Sequence, residues 1–101
     1  MKLSHYIFQT LKDHGYDTVF LVTGGGAMHL NDSIGRIEGM KYICNHHEQA
    51  SAMAAEGYAR VAGKPAILNV TTGPGGINAL NGVFGAFTDS IPMIVIGGQV
   101  K

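Results

Sequence analysis

The sequence predicts an α/β fold, an open parallel sheet with helices on both faces, and two observations carry that prediction. Short apolar, β-branched runs alternate with longer segments of helical periodicity. The runs recur about every 25 residues, the spacing at which a crossover helix returns the next strand in parallel. A third observation says where function lies. Each run is followed by a glycine-rich or polar segment, and in open parallel sheets ligands bind beyond the carboxyl ends of the strands.

The elements follow in chain order. Leu3, Ile7, Phe8 and Leu11 repeat at helical spacing, with Ser4 placed to cap that helix and Gly15 to end it. Strands are expected at 18–22, 41–44, 66–70 and 93–96, and crossover helices at 27–37, 49–61 and 77–87. Gly82 and Gly85 interrupt the last helix, each costing up to about 1 kcal/mol relative to alanine, so they are read as permitting close packing against a sheet or a partner. The chain stops after the fourth strand, which predicts a sheet truncated there and a fragment of a larger domain.

Composition narrows the function classes. With 101 residues, 46% hydrophobic and 14% charged, the chain can bury one core and no more. Seven basic residues balance seven acidic ones, so no electrostatic footprint marks a nucleic-acid or membrane partner. Met1 to Tyr6 lack the apolar core of a signal peptide, and no run approaches the roughly 20 apolar residues that span a bilayer. A cytoplasmic protein is expected. Cys44 is the single cysteine, and its place in Tyr42-Ile43-Cys44 reads as a small buried hydrophobe.

The segments after the strands are Thr23-Gly24-Gly25-Gly26, Asn45-His46-His47-Glu48, Thr71-Thr72-Gly73-Pro74-Gly75-Gly76 and Gly97-Gly98-Gln99. Parallel strands place all four along one edge of the sheet. Bare glycine backbone lets amide donors approach an anion. However, Gly24 and Gly26 begin a dinucleotide fingerprint that His29 breaks at its third glycine, and no P-loop Gly-Lys-Ser/Thr follows. Phosphate contacts and plain tight turns stand as equal readings of these loops. His46-His47-Glu48 carries zinc-ligand types, but adjacent histidines after a strand diverge and no HExxH spacing follows. No metal site is assigned, and His46 is read as holding the strand-helix turn by hydrogen bonding. Glu48 opens a helix, where the macrodipole favours a carboxylate, and on spacing alone it reads as an ordinary first-turn acid. Glu56 and Arg60, four apart, read as an ion pair without chemistry.

In order and spacing, several pieces together resemble the pyrimidine-binding domain of thiamine-diphosphate enzymes related to acetolactate synthase large subunits. They are His47-Glu48-Gln49, Ala55-Glu56-Gly57-Tyr58-Ala59-Arg60, Thr72-Gly73-Pro74-Gly75 with Asn78, Asp89-Ser90-Ile91-Pro92 and Gly98-Gln99-Val100. The resemblance covers nearly the whole chain and reads residues 1–101 as the amino-terminal part of that domain. It reverses the reading of Glu48, which falls where the family carries its cofactor-activating glutamate. That carboxyl group, the resemblance implies, shares a proton with a ring nitrogen of the aminopyrimidine, whose exocyclic nitrogen then deprotonates the thiazolium carbon. The cofactor supplies the electron sink for a 2-keto acid. The resemblance also implies that Gly24 and Gly25 are a cofactor-binding glycine pair in the loop after the first strand, that Thr72, Gly73, Pro74 and Asn78 line the pyrimidine, and that Gln99 faces the reacting end of the cofactor.

The departures from the family pattern are Val22-Thr23 for Tyr-Pro, which puts the substrate class in doubt, together with Gly76-Ile77, Asn81 and Gly85. No Gly-Asp-Gly segment occurs, so the diphosphate and its Mg2+ are expected on a domain outside these residues. The family's cofactor lies between two subunits, which implies a homodimer or homotetramer of the full-length enzyme and an inactive isolated chain. Two rival readings are a non-catalytic α/β interaction domain that kept the fold and a nucleotide-binding domain; Glu48 argues against the first and the broken fingerprint against the second.

Overall fold

Alternation within the central strands decides which helix packs on which face. In a computed structural model, which describes residues 1–100, the chain forms α1 (Leu3–Asp13), β1 (Thr18–Leu21), a 3-10 turn (Gly25–Ala27) and α2 (Met28–Arg36). It continues through β2 (Lys41–Cys44), α3 (Glu48–Ala62), β3 (Ala66–Val70), α4 (Pro74–Thr88) and β4 (Met93–Gly97). Val19, Leu21 and Ile67 pack with Phe8 of α1 and with Ile34, Ile37 and Met40 of α2 and its exit. Phe20, Ala66, Leu68 and Val70 pack on the opposite face with Ala52, Ala55 and Ala59 of α3 and Ala79 of α4. Helices therefore cover both faces. Each large side chain fully buried in this way contributes about 1.5–3 kcal/mol.

The sheet has four strands in the order β2-β1-β3-β4, and every pairing is parallel. One row of the register runs Cys44, Leu21, Asn69, Ile96 across all the strands. The segments that follow that row share the carboxyl edge of the sheet. From β1 the chain moves outward to β2, and from β3 it moves outward in the other direction to β4, so β1 and β3 flank a topological switch point.

The strands and helices fall where periodicity placed them, and the differences lie at their ends. The last crossover helix begins at Pro74 instead of residue 77, because Gly73 takes a positive φ of 59° and proline is preorganised for the first helical turn. A 3-10 turn over Gly25–Ala27 precedes the helix expected at 27–37, which runs from Met28 to Arg36. Ser4 is not a cap. Lys2 holds the N-cap position of α1 without a side-chain bond, while Ser4 lies buried inside the helix, its hydroxyl 2.8 Å from that of Ser33 on α2. Cys44 is exposed, not buried. Its strand is an outer one, and α3 packs over β1 and β3.

Two contacts secure the rest of the framework. Lys64 donates to the Asp17 carboxylate at 3.3 Å and to the Gly15 carbonyl at 3.0 Å, tying the α3–β3 turn to the turn before β1. Burial pushes the Asp17 carboxyl up, but the bonds from Lys64 and Thr18 and the charges of Lys64 and Lys41 outweigh it and hold it below its ordinary value. Arg60 bridges Glu56, at 3.1 Å, and Asp89 beyond the end of α4, so the expected ion pair also clamps α3 to the α4–β4 turn.

Gly82 explains how α3 and α4 approach. A methyl group there would run into the Ala52 side chain and lie 2.9 Å from the Ala52 carbonyl carbon, whereas at Gly85 it would meet only the Glu56 carboxylate at 3.4 Å. Gly82→Ala is expected to destabilise by about 1–3 kcal/mol in urea unfolding through overpacking. Gly85→Ala should be neutral or gain up to about 1 kcal/mol of helix propensity. Equal effects would mean that the helices can part at Gly82 without loss.

Candidate functional site

The switch point is built from backbone brought unusually close. A Cβ on Gly24 would lie 2.6 Å from the Cβ of Thr71, and one on Gly26 would lie 2.5 Å from the Cγ2 of Thr72. The loop after β1 is thus pressed onto the loop after β3 at positions where only glycine fits. On the far side, the Gly98 amide donates to the Val70 carbonyl at 2.8 Å, and a Cβ on Gly98 would lie 2.7 Å from the carbonyl carbon of Gly26. Three of the four post-strand segments are locked together in this way.

The fourth contributes Glu48. His47 adopts extended backbone as the N-cap of α3, and its Nδ1 accepts from the Gln49 amide at 3.0 Å. His47, and not His46, therefore holds the turn, because the cap position requires an acceptor two residues before a free helical amide. An accepting Nδ1 leaves the ring proton on Nε2. Upstream, the Asn45 backbone N–H donates to the Leu21 carbonyl at 2.9 Å, and Asn45 Oδ1 accepts from the Ser51 hydroxyl at 2.9 Å. With the turn fixed at both ends, the half-buried Glu48 is the first residue of α3 and faces the start of α4. Asn78 Nδ2 donates to Glu48 Oε1 at 3.1 Å. A Cβ on Gly75 would lie 2.7 Å from Thr71 Cγ2 and 3.5 Å from Glu48 Oε2, so the glycine lets the start of α4 sit against Thr71 with the carboxylate beside it.

The sequence-predicted residues are thus placed unevenly. Glu48, Asn78 and Gly24 join contacts across the site, with Thr72 beside the Gly26 backbone. Gly73 and Pro74 start α4, and Gly25 and Gly73 have open space where a side chain would be. Gln99 stands at the same edge, but its amide donates to the Val100 carbonyl at 3.0 Å and has no other described hydrogen bond. Gly26, Gly75 and Gly98 were missed as close-approach positions, although their glycine-rich segments were visible.

Comparison with known proteins assigns the architecture. A family model described as thiamine pyrophosphate enzyme, N-terminal TPP binding domain, matches residues 1–101. The chain belongs to this family. It is 44% identical over 94 residues to an acetolactate synthase large subunit of Haemophilus influenzae, covering 93% of the chain and 16% of the relative. A Lactococcus lactis acetolactate synthase large subunit is 42% identical over 97 residues, covering 96% and 17%. The chloroplastic acetolactate synthase of Arabidopsis thaliana is 39% identical over 94 residues, covering 93% and 14%. The chain therefore spans about a sixth of the length of these relatives. Among the described residues, no helix of this TPP binding domain is long and apolar enough to cross a membrane.

The turn that carries Glu48 can be tested separately from any chemistry. His47→Ala is expected to cost about 0.5–2 kcal/mol of stability, and His47→Ser to recover most of it, as for other N-cap positions. Parallel His46 variants should stay within about 0.5 kcal/mol of the parent in chemical denaturation. Sensitivity at His46 and indifference at His47 would reverse the assignment.

Proposed function

We propose that this chain is the pyrimidine-binding and cofactor-activating portion of a thiamine-diphosphate enzyme acting on a 2-keto acid by carboligation or decarboxylation. The observation that carries this reading is Glu48 at the switch point, with Oε1 held by Asn78 and Oε2 beside Gly75. The residues fit the cofactor. A flat ring needs bare backbone and one proton-sharing acid; Gly25 and Gly73 have open space where a side chain would be, and the Glu48 carboxylate stands beside Gly75.

Thiamine diphosphate, when bound, supplies the carbon nucleophile and the electron sink for the keto acid. Glu48 holds and returns a proton at a carboxylate oxygen; an amide in its place could donate a hydrogen bond but could not take that proton up. Asn78 fixes the Glu48 rotamer by engaging Oε1, which leaves Oε2 for the ligand. Gly24, Gly25, Thr72, Gly73 and Pro74 line the ring, and Gln99 is free to turn toward the reacting end. The diphosphate and its Mg2+ fall to a domain outside these residues, so the chain alone is inactive. Partner subunits are supported by α4, whose Ile77, Leu80, Phe84 and Phe87 form one apolar stripe, each more than half exposed. A homodimer or homotetramer covers such a surface.

Glu48→Gln in the full-length enzyme is expected to slow hydrogen–deuterium exchange at the thiazolium carbon of bound cofactor by at least about 10²-fold with the fold intact. That exchange isolates cofactor activation from later steps. Exchange at the parental rate would make Glu48 a structural helix-start acid.

A further inference from the structure

Parallel sheets buried on both faces read as continuous apolar runs, and β3 breaks that rule once. Asn69 is 0% exposed, on the α2 face of the strand, with Leu21 and Ile96 as its register partners. Its Nδ2 donates to Asn31 Oδ1 on α2 at 2.8 Å, and Asn31 Nδ2 donates onward to the Gly24 carbonyl at 3.5 Å. That carbonyl also accepts from the Ala27 amide at 3.0 Å, which closes the 3-10 turn of the glycine loop. Among the described residues, Asn69 Oδ1 is the one buried side-chain polar atom without a hydrogen-bond partner.

The orphaned oxygen shows what selects the orientation. If both amides were reversed, Asn69 would orphan its Nδ2 in place of its Oδ1, and Asn31 would also present an oxygen to the Gly24 carbonyl oxygen. The observed arrangement leaves one buried acceptor unsatisfied and keeps a donor on Gly24. An apolar pair could fill the same space without that loss.

We propose that Asn31 and Asn69 are a positioning pair that pins the Gly24–Gly26 loop from beneath, in the geometry in which it lines the cofactor. Thr71 and Thr72 fix the loop from the side and Gly98 from the far edge, while the asparagine pair sets its height above the sheet. This deepens the thiamine-diphosphate reading of the same site and rests on it.

The test uses the full-length protein with two variants and two readouts besides melting temperature. Asn31→Asp keeps an acceptor for Asn69 but loses the donor to Gly24; the double variant Asn31→Leu/Asn69→Leu removes the whole relay with similar volume. The double variant should melt close to the parent. In both variants the Kd for thiamine diphosphate, measured by calorimetry with Mg2+, should rise about tenfold, as expected for one lost positioning bond. Without cofactor, amide exchange at Ala27 should also accelerate in both. Parental affinity and parental Ala27 protection in a folded variant would overturn the proposal and leave the pair as core filling. If the parent bound no thiamine diphosphate, the functional reading would fall, while Ala27 exchange would still decide whether the pair pins the loop.

Discussion

The parallel pairing of β1 with β3 is the constraint on which the rest depends. It sets Leu21 level with Asn69, and with β2 and β4 on opposite outer sides the connections of the two strands diverge between them, the place where open parallel sheets bind ligands. The same register forces the two post-strand loops against each other, and only glycine at 24 and 26 allows Thr71 and Thr72 to stand there. Gly98 extends the constraint to β4. A side chain at any of these positions would have to push one strand end away from the others, so the close fit of the three segments rests on absent atoms, while the open space in the same loops lies at Gly25 and Gly73.

Glu48 shows how that framework positions a charge. A carboxylate at the first position of α3 is favoured by free amides and the helix dipole, yet those alone leave its side chain mobile. The restraint comes from α4, where Gly73 and Pro74 begin the helix early enough to bring Asn78 within 3.1 Å of Oε1. Helices α3 and α4 stay at that distance because Gly82 lets them touch and Arg60 ties α3 to the turn after α4. The proposed chemistry at Glu48 thus depends on packing along the whole of α3 and α4.

Much of this was legible in the sequence because it is written in short-range patterns. β-branched runs with helical spacers specify parallel strands, and the post-strand segments fall on one edge once the strands are parallel. What escaped depends on neighbours distant in sequence. Cys44 reads as buried by its apolar company, but its strand lies at the edge. Ser4 looks like a cap until Ser33 of α2 claims its hydroxyl. His46 and His47 are indistinguishable until the backbone shows which one occupies the N-cap. Asn69 was visible as a polar break in Ala66–Val70, but its meaning required Asn31 above it. The role proposed for Glu48 came from family resemblance, since helix-start acids are common and the pattern alone does not separate a catalytic one.

The most direct measurement of the central claim is a structure of the full-length protein with thiamine diphosphate bound. The pyrimidine ring should lie in the crevice between the Gly24 and Gly73 segments. A Glu48 carboxylate oxygen should stand about 2.6–3.2 Å from a ring nitrogen, with Asn78 still engaged on the other oxygen. A cofactor bound with its pyrimidine away from this edge, or with Glu48 turned from the ring toward solvent, would contradict it.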